Sequence, residues 1–274
     1  MKTNNKLYKI DRMKTLKTII IGILITISYA ADAQMQGSLT PPGLGGGTNA
    51  NAAVYSGDGV TLGAMGMFTS KYNWTGAVLT WNTGWDFLGG KYSMGILQPV
   101  VFDADFKTAI NPATGFNPIQ ISWDLNHLKL QGNYTFLLGN KLPLNGHNFT
   151  LRATQYLNNG GYSLNGSMVY EVRIEKGSAD RKYGNAFVLE SNFSKHFKKG
   201  QTVGLIGHYN SNITPEYFGE IELLNDKSMT AGVGIDASTP IGKKVFLNAK
   251  FVYDLSPNEV IRANKAVLGM FYKF

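Results

Sequence analysis

The stretch that decides the fold is Ala266-Val267-Leu268-Gly269-Met270-Phe271-Tyr272-Lys273-Phe274. Ala266, Leu268, Met270, Tyr272 and Phe274 form one apolar set, while the residues between them include a glycine and a lysine. A period of two is that of a β-strand, whose successive side chains point to opposite faces. A greasy face ending on Tyr272 and Phe274 suits a strand that meets lipid, with its aromatic residues at the membrane boundary.

The same alternation recurs upstream. From Ser228 to Ser238, Met229, Ala231, Val233, Ile235 and Ala237 share one face, and Thr230, Gly232, Gly234, Asp236 and Ser238 the other. Phe149, Leu151 and Ala153 alternate with Thr150, Arg152 and Thr154, and Met168, Tyr170, Val172 and Ile174 alternate with Glu171, Arg173 and Glu175. About twelve strands are predicted, centred near Gly63, Val78, Leu97, Ile121, Tyr134, Leu151, Tyr170, Leu189, Leu205, Val233, Leu247 and Met270.

Alternation alone fits a soluble sandwich as well as a membrane barrel, and two features favour the barrel. The segments run to about 10 residues, enough to cross a bilayer at a tilt, where soluble strands average about 5 or 6. The connections also alternate in length. Asn126-His127, 158–161, 198–200 and 241–243 are tight turns, whereas 107–117, 177–185, 214–227 and 256–262 are longer and more polar. Short periplasmic turns and long outer loops are the habit of bacterial outer-membrane barrels. The short link at 70–73 departs from the pattern, either as a tight outer hairpin or because the first two strands lie elsewhere. The expected fold is all-β: a transmembrane antiparallel up-and-down β-barrel spanning 59–274. In lipid every peptide group needs an internal partner, and closure supplies one.

Half of the charge excess is N-terminal. Of a formal net charge of +8, four charges sit in residues 1–33, where Lys2, Lys6, Lys9, Arg12, Lys14 and Lys17 oppose Asp11 and Asp32. A basic flank, the apolar run 19–27 and small residues at Ala31-Asp32-Ala33 make the three-part layout of a signal peptide, expected over 1–33 with Met1 or Met13 as its start. An uncleaved helical anchor is the other reading. The basic balance is therefore an export signal, and no nucleic-acid partner is expected. The sequence has no cysteine, so neither a lipid anchor at a cysteine nor a disulfide framework is available. Residues 34–58, rich in Gly, Pro and Asn, read as a flexible lead-in or a small plug.

A resemblance adds to this reading. The run Leu79-Thr80-Trp81-Asn82-Thr83-Gly84-Trp85-Asp86-Phe87-Leu88-Gly89-Gly90-Lys91-Tyr92 with Leu97-Gln98-Pro99 is similar to the outer-membrane family named for the meta-pathway of phenol degradation. That family is SphA-like and distantly similar to FadL-type hydrocarbon transporters. Tyr183 to Phe187, Lys195-His196-Phe197, Val203-Gly204-Leu205 and Gly207-His208-Tyr209 resemble its second half. The resemblance implies a barrel that passes small, hydrophobic or aromatic molecules. The lead-in is shorter than the hatch of FadL-type transporters, which sets this chain apart from their gating.

Catalytic and metal motifs are lacking. His127, His147, His196 and His208 are dispersed, without HExxH or paired-Cys spacing, and there is no GxSxG elbow. No cofactor or metal is expected. Function is sought in the lumen, where the polar faces carry Arg152, Glu171, Arg173, Glu190, His208, Asp236, Lys250 and Lys273. Opposite charges on neighbouring strands are expected to pair across the wall, either as a folding requirement or as a selectivity filter. Tyr272 and Phe274 are the expected assembly signal. The expected partners are outer-membrane lipid, the barrel-assembly machinery and a small-molecule solute. A passive channel, a structural or adhesive barrel, and a lipid-modifying enzyme are the three functions to be separated.

Overall fold

The computed structural model describes residues 53–54, 56–70, 72–140, 144–176, 181–182, 184–214, 217–218, 221–222, 229–256 and 263–274. The expected signal peptide and most of the lead-in lie outside these residues.

Sixteen strands follow in order: β1 (Gly59–Phe68), β2 (Tyr72–Phe87), β3 (Gly90–Asp103), β4 (Ala109–Ile110), β5 (Ala113–Leu125), β6 (Leu128–Gly139), β7 (Leu144–Leu157), β8 (Tyr162–Glu175), β9 (Arg181–Lys182), β10 (Ala186–His196), β11 (Thr202–Asn212), β12 (Tyr217–Phe218), β13 (Ile221–Glu222), β14 (Met229–Ile241), β15 (Val245–Asp254) and β16 (Lys265–Lys273). Twelve of them, all but β4, β9, β12 and β13, form one closed antiparallel ring in which each strand pairs with its neighbours in sequence. Every one of the twelve expected strand centres falls inside its strand.

Closure is made by the stretch that opened the sequence reading. β16 pairs with β1 from Thr61↔Lys273 to Phe68↔Ala266, so the twelve-stranded wall has no free edge. The turns at the end that carries Phe274 are short. Leu88–Gly89 joins β2 to β3 with both residues at positive φ, the twist that a two-residue hairpin needs. The opposite end carries the long loops, and two of these zip together through β9, β12 and β13. The link between β1 and β2 is a tight hairpin, so the first two strands are where the sequence puts them. One expected boundary is corrected: β5 begins at Ala113, not after Asn117. Its Phe116 and Asn117 belong to the wall, although a register shift between Phe116 and Ile119 interrupts the alternation that marks a strand.

The faces sort as the period-two pattern requires. Val233 is 51% exposed and Leu268 57%, with Ile235, Leu205 and Phe251 turned outward beside them. Glu171, Thr154, Asn165, Asn192 and Asp236 are buried. A water-soluble protein does the reverse, because burying apolar area in water is what stabilises it. An apolar exterior around a polar interior is the surface that a bilayer solvates.

Candidate functional site: the lumen

Twelve strands about 4.8 Å apart and tilted near 40° enclose a ring about 24 Å across, measured backbone to backbone. Of the charged residues expected in the lumen, Glu171, Arg173, Glu190, His208, Asp236 and Lys250 are buried, and Arg152 and Lys273 are half-buried.

One cross-strand row runs Ser122, Gln131, Arg152, Ser167, Glu190, His208, Gly232, Asp254 from β5 to β15. Arg152 Nη1 donates to Gln131 Oε1 at 2.5 Å, and Gln131 Nε2 donates to Ser122 Oγ at 3.0 Å. Arg152 and Glu190 stand in register on either side of Ser167. His208 lies along the wall over Gly232, where an added Cβ would sit 2.5 Å from its Cε1. Two atoms in this row, Ser167 Oγ and His208 Nε2, are buried without a hydrogen-bond partner.

Glu171 and Arg173 join each other along a single strand, Nε to Oε1 at 2.9 Å. Both point into the lumen two residues apart on β8, and both side chains are almost wholly withdrawn from solvent. A cross-strand pair does occur between Asp254 on β15 and Lys265 on β16, at 2.7 Å. The Asp254 carboxylate also accepts from the backbone N–H groups of Ser256 and Ala263. Lys250 stands in register with Asp236.

Sequence reasoning looked for charges and so missed the ladder of neutral side chains that links them. Thr154 Oγ1 donates to Asn165 Oδ1 at 2.8 Å, Asn165 Nδ2 to Asn192 Oδ1 at 3.0 Å, and Asn192 Nδ2 to Asp236 Oδ1 at 2.7 Å. The same period marks these residues: Ser163, Asn165 and Ser167 alternate with Leu164 and Met168. Near the Phe274 end the chain itself reaches into this ladder. The Ala53 N–H donates to Thr154 Oγ1 on β7, five places round the ring from β1. Ser56 is held on the other side, accepting at Oγ from Asn82 and at its carbonyl from Lys273 Nζ.

A second omission is an apolar sector. Ile110, Val101, Trp74, Met67 and Val267 lie in one cross-strand row over β4, β3, β2, β1 and β16, all buried. The row continues to Lys250 on β15, so the lumen changes from apolar to charged between two adjacent strands. Outside the lumen, Phe274 is exposed and meets Tyr272 edge to face with ring centroids 4.9 Å apart. Among the described residues, no group of three or more His, Asp or Glu side chains is placed to hold a metal ion.

A closed twelve-stranded barrel with an apolar exterior and a polar, hydrogen-bonded lumen defines a porin-like transmembrane barrel. Solved structures agree on the fold. An outer membrane channel from Pseudomonas putida F1 is 10% identical with a TM-score of 0.65, covering 81% of this chain and 98% of its own. The KdgM porin, solved in complex with disordered oligogalacturonate, is 12% identical with a TM-score of 0.51, covering 78% and 99%. The transport unit of the autotransporter AIDA-I from Escherichia coli is 13% identical with a TM-score of 0.50, covering 80% and 91%. The chain belongs to the family described as putative MetA-pathway of phenol degradation, whose model matches residues 43–268. No curated protein matches it in sequence.

Proposed function

We propose that this protein is a channel of the bacterial outer membrane for passive uptake of small molecules, hydrophobic or aromatic ones among them. The observation that carries the reading is the inverted barrel: side chains such as Glu190, His208, Asp236 and Lys250 line the inside of a ring whose outside is Leu, Val, Ile and Phe. Family membership supports the aromatic solutes, and the channel-type structures that share the fold support conduction over catalysis. Export through a cleaved signal peptide over 1–33 and insertion by the barrel-assembly machinery, read from Tyr272 and Phe274, belong to the same proposal. The buried mixed charges, Arg152, Glu171, Arg173, Glu190, Asp236 and Lys250, set the field along the path.

Swelling of liposomes that contain the purified protein tests the uptake. Osmotic swelling in small neutral solutes, above that of protein-free liposomes, is the expected result. Swelling equal to the blank for every solute would move the assignment to a structural or adhesive barrel.

A further inference from the structure

The lumen has two sides of different chemistry. β8, β10 and β11 carry Ser167, Glu190 and His208, and each lies six places round the twelve-strand ring from β1, β2 and β3 respectively. Those opposite strands carry Met67, Trp74 and Val101 in one row. Glycines widen the apolar side. Trp74 lies flat over Gly76, where a Cβ would meet its ring at 2.5 Å, and Phe271 and Val78 close over Gly63 at 2.6 and 2.7 Å. Met65, Val78 and Phe271 remain partly exposed, so the apolar side still offers surface to a visitor.

On the polar side the charges are balanced. Arg173 binds Glu171, Lys265 binds Asp254, Lys250 stands in register with Asp236, and Arg152 and Glu190 flank Ser167. In the row that holds Glu190, the buried atoms without partners among the described residues are a hydroxyl, Ser167 Oγ, and an imidazole nitrogen, His208 Nε2; further along β14, Thr230 Oγ1 and Asp236 Oδ2 are also without one. Ser167 and His208 lie on either side of Glu190, at 4% and 8% exposure. A buried polar atom without a partner is left with its desolvation cost, and a solute that supplies the missing hydrogen bond recovers it. A carboxylate solute would be opposed by Glu190, and a solute polar all round would leave the Met65, Val78 and Phe271 surface in contact with its hydroxyls.

We propose that the lumen holds a binding site for neutral solutes that are apolar on one side and carry hydroxyls on the other, the hydroxyls seated on Ser167 and His208. This rests on the reading of the lumen as a solute path, and it names the residues that choose among solutes. Ser167 and His208 are the specificity-determining pair, Glu190 between them accepts a further O–H, and the β1–β3 side takes the ring or chain.

The test is calorimetric titration of the full barrel, folded in detergent micelles, against a micelle blank, so that it does not depend on conduction. Three probes are matched in ring size: trans-1,2-cyclohexanediol, myo-inositol and cyclohexanecarboxylate. The diol binds saturably and at least about tenfold tighter than either other probe. Ser167→Ala with His208→Leu weakens the diol about tenfold, two neutral hydrogen bonds each being worth a few-fold in affinity. Should the double variant fail to fold, Ser167→Ala alone reads about a threefold loss. Equal binding of the three probes, no saturable diol binding, or unchanged affinity in a folded variant overturns the site. Binding without liposome swelling would instead fault the channel reading and leave the site standing.

Discussion

Asn192 Nδ2 donates to Asp236 Oδ1 at 2.7 Å although their strands, β10 and β14, are not neighbours. The strand between them is β11, where Gly204 stands in register with Asp236 on one side and with Ser194, two residues from Asn192, on the other. A Cβ there would lie 2.3 Å from Ser194 Oγ, 2.7 Å from Asp236 Oδ1 and 2.9 Å from Asn192 Nδ2. The missing side chain is what lets a hydrogen bond pass over a whole strand.

Gly204→Val is therefore expected to break the ladder and to lower barrel stability by about 2 to 4 kcal/mol, through overpacking and an unsatisfied buried carboxylate. Val203→Leu, one residue away and facing lipid, serves as the control and is expected to change stability by less than about 0.5 kcal/mol. Equilibrium urea unfolding in lipid vesicles reads both.

The pair Glu171 and Arg173 makes a different test. Removing one partner leaves the other charge buried, so Arg173→Gln or Glu171→Gln alone is expected to cost about 3 to 5 kcal/mol. The double variant is expected to cost less than the sum of the two, giving a coupling of about 1 kcal/mol or more in a double-mutant cycle. Additive losses would mean that the two side chains act separately.

Facing along β14 can be probed at Val233. An Arg at this outward position is expected to cost about 2 to 4 kcal/mol near the middle of the bilayer. The adjacent glycines are not free lumen positions. A Cβ at Gly234 would fall 2.0 Å from the Phe251 carbonyl oxygen, and one at Gly232 would strike His208 and Val252. Ala at Gly234 is thus expected to shift the backbone pairing of β14 with β15, seen as a loss of protection in amide exchange, whereas Ala at the neighbouring Val233 is not.

The closing strand gives an assembly prediction. Deleting Phe274, or replacing Tyr272 and Phe274 by Ser, is expected to reduce the heat-modifiable, folded band of the membrane fraction severalfold. The aromatic pair lies outside the barrel, so a fully folded variant would show that neither ring is needed for insertion.

Much of this architecture is legible in the sequence because a barrel wall writes itself twice, once as a period of two and once as alternating loop length. Ser228 to Ser238 shows both faces without ambiguity, since its lumen residues are polar or glycine. Where the lumen is itself apolar the code is lost. Met67, Val101 and Val267 lie among apolar or glycine neighbours on both faces, and Trp74 lies between Asn73 and Thr75, so no shared alternation shows that the four make a sector of the interior. Register is the other gap. Arg152, Ser167, Glu190 and His208 each read as inward-facing, yet their alignment in one row depends on shear, which no single strand encodes. The reach of Ala53 to Thr154, 101 residues away, has no local signal at all.

That contact can be trapped, because the chain contains no cysteine. Ala53→Cys with Thr154→Cys is expected to form an oxidant-dependent cross-link between the entry segment and β7, detected as a reducible shift in gel mobility. Single-cysteine variants should show none.

The most direct measurement of the central claim is the reversal potential of single channels in a planar bilayer under a salt gradient. The wild type is expected to conduct in discrete steps. Arg152→Gln, which removes one positive charge beside Glu190, is expected to shift the reversal potential toward cation selectivity, because the lumen field loses a cation while its carboxylates stay. A wild type that never conducts would contradict a solute path through this lumen, and a conducting Arg152→Gln variant whose reversal potential does not move would show that Arg152 does not line it.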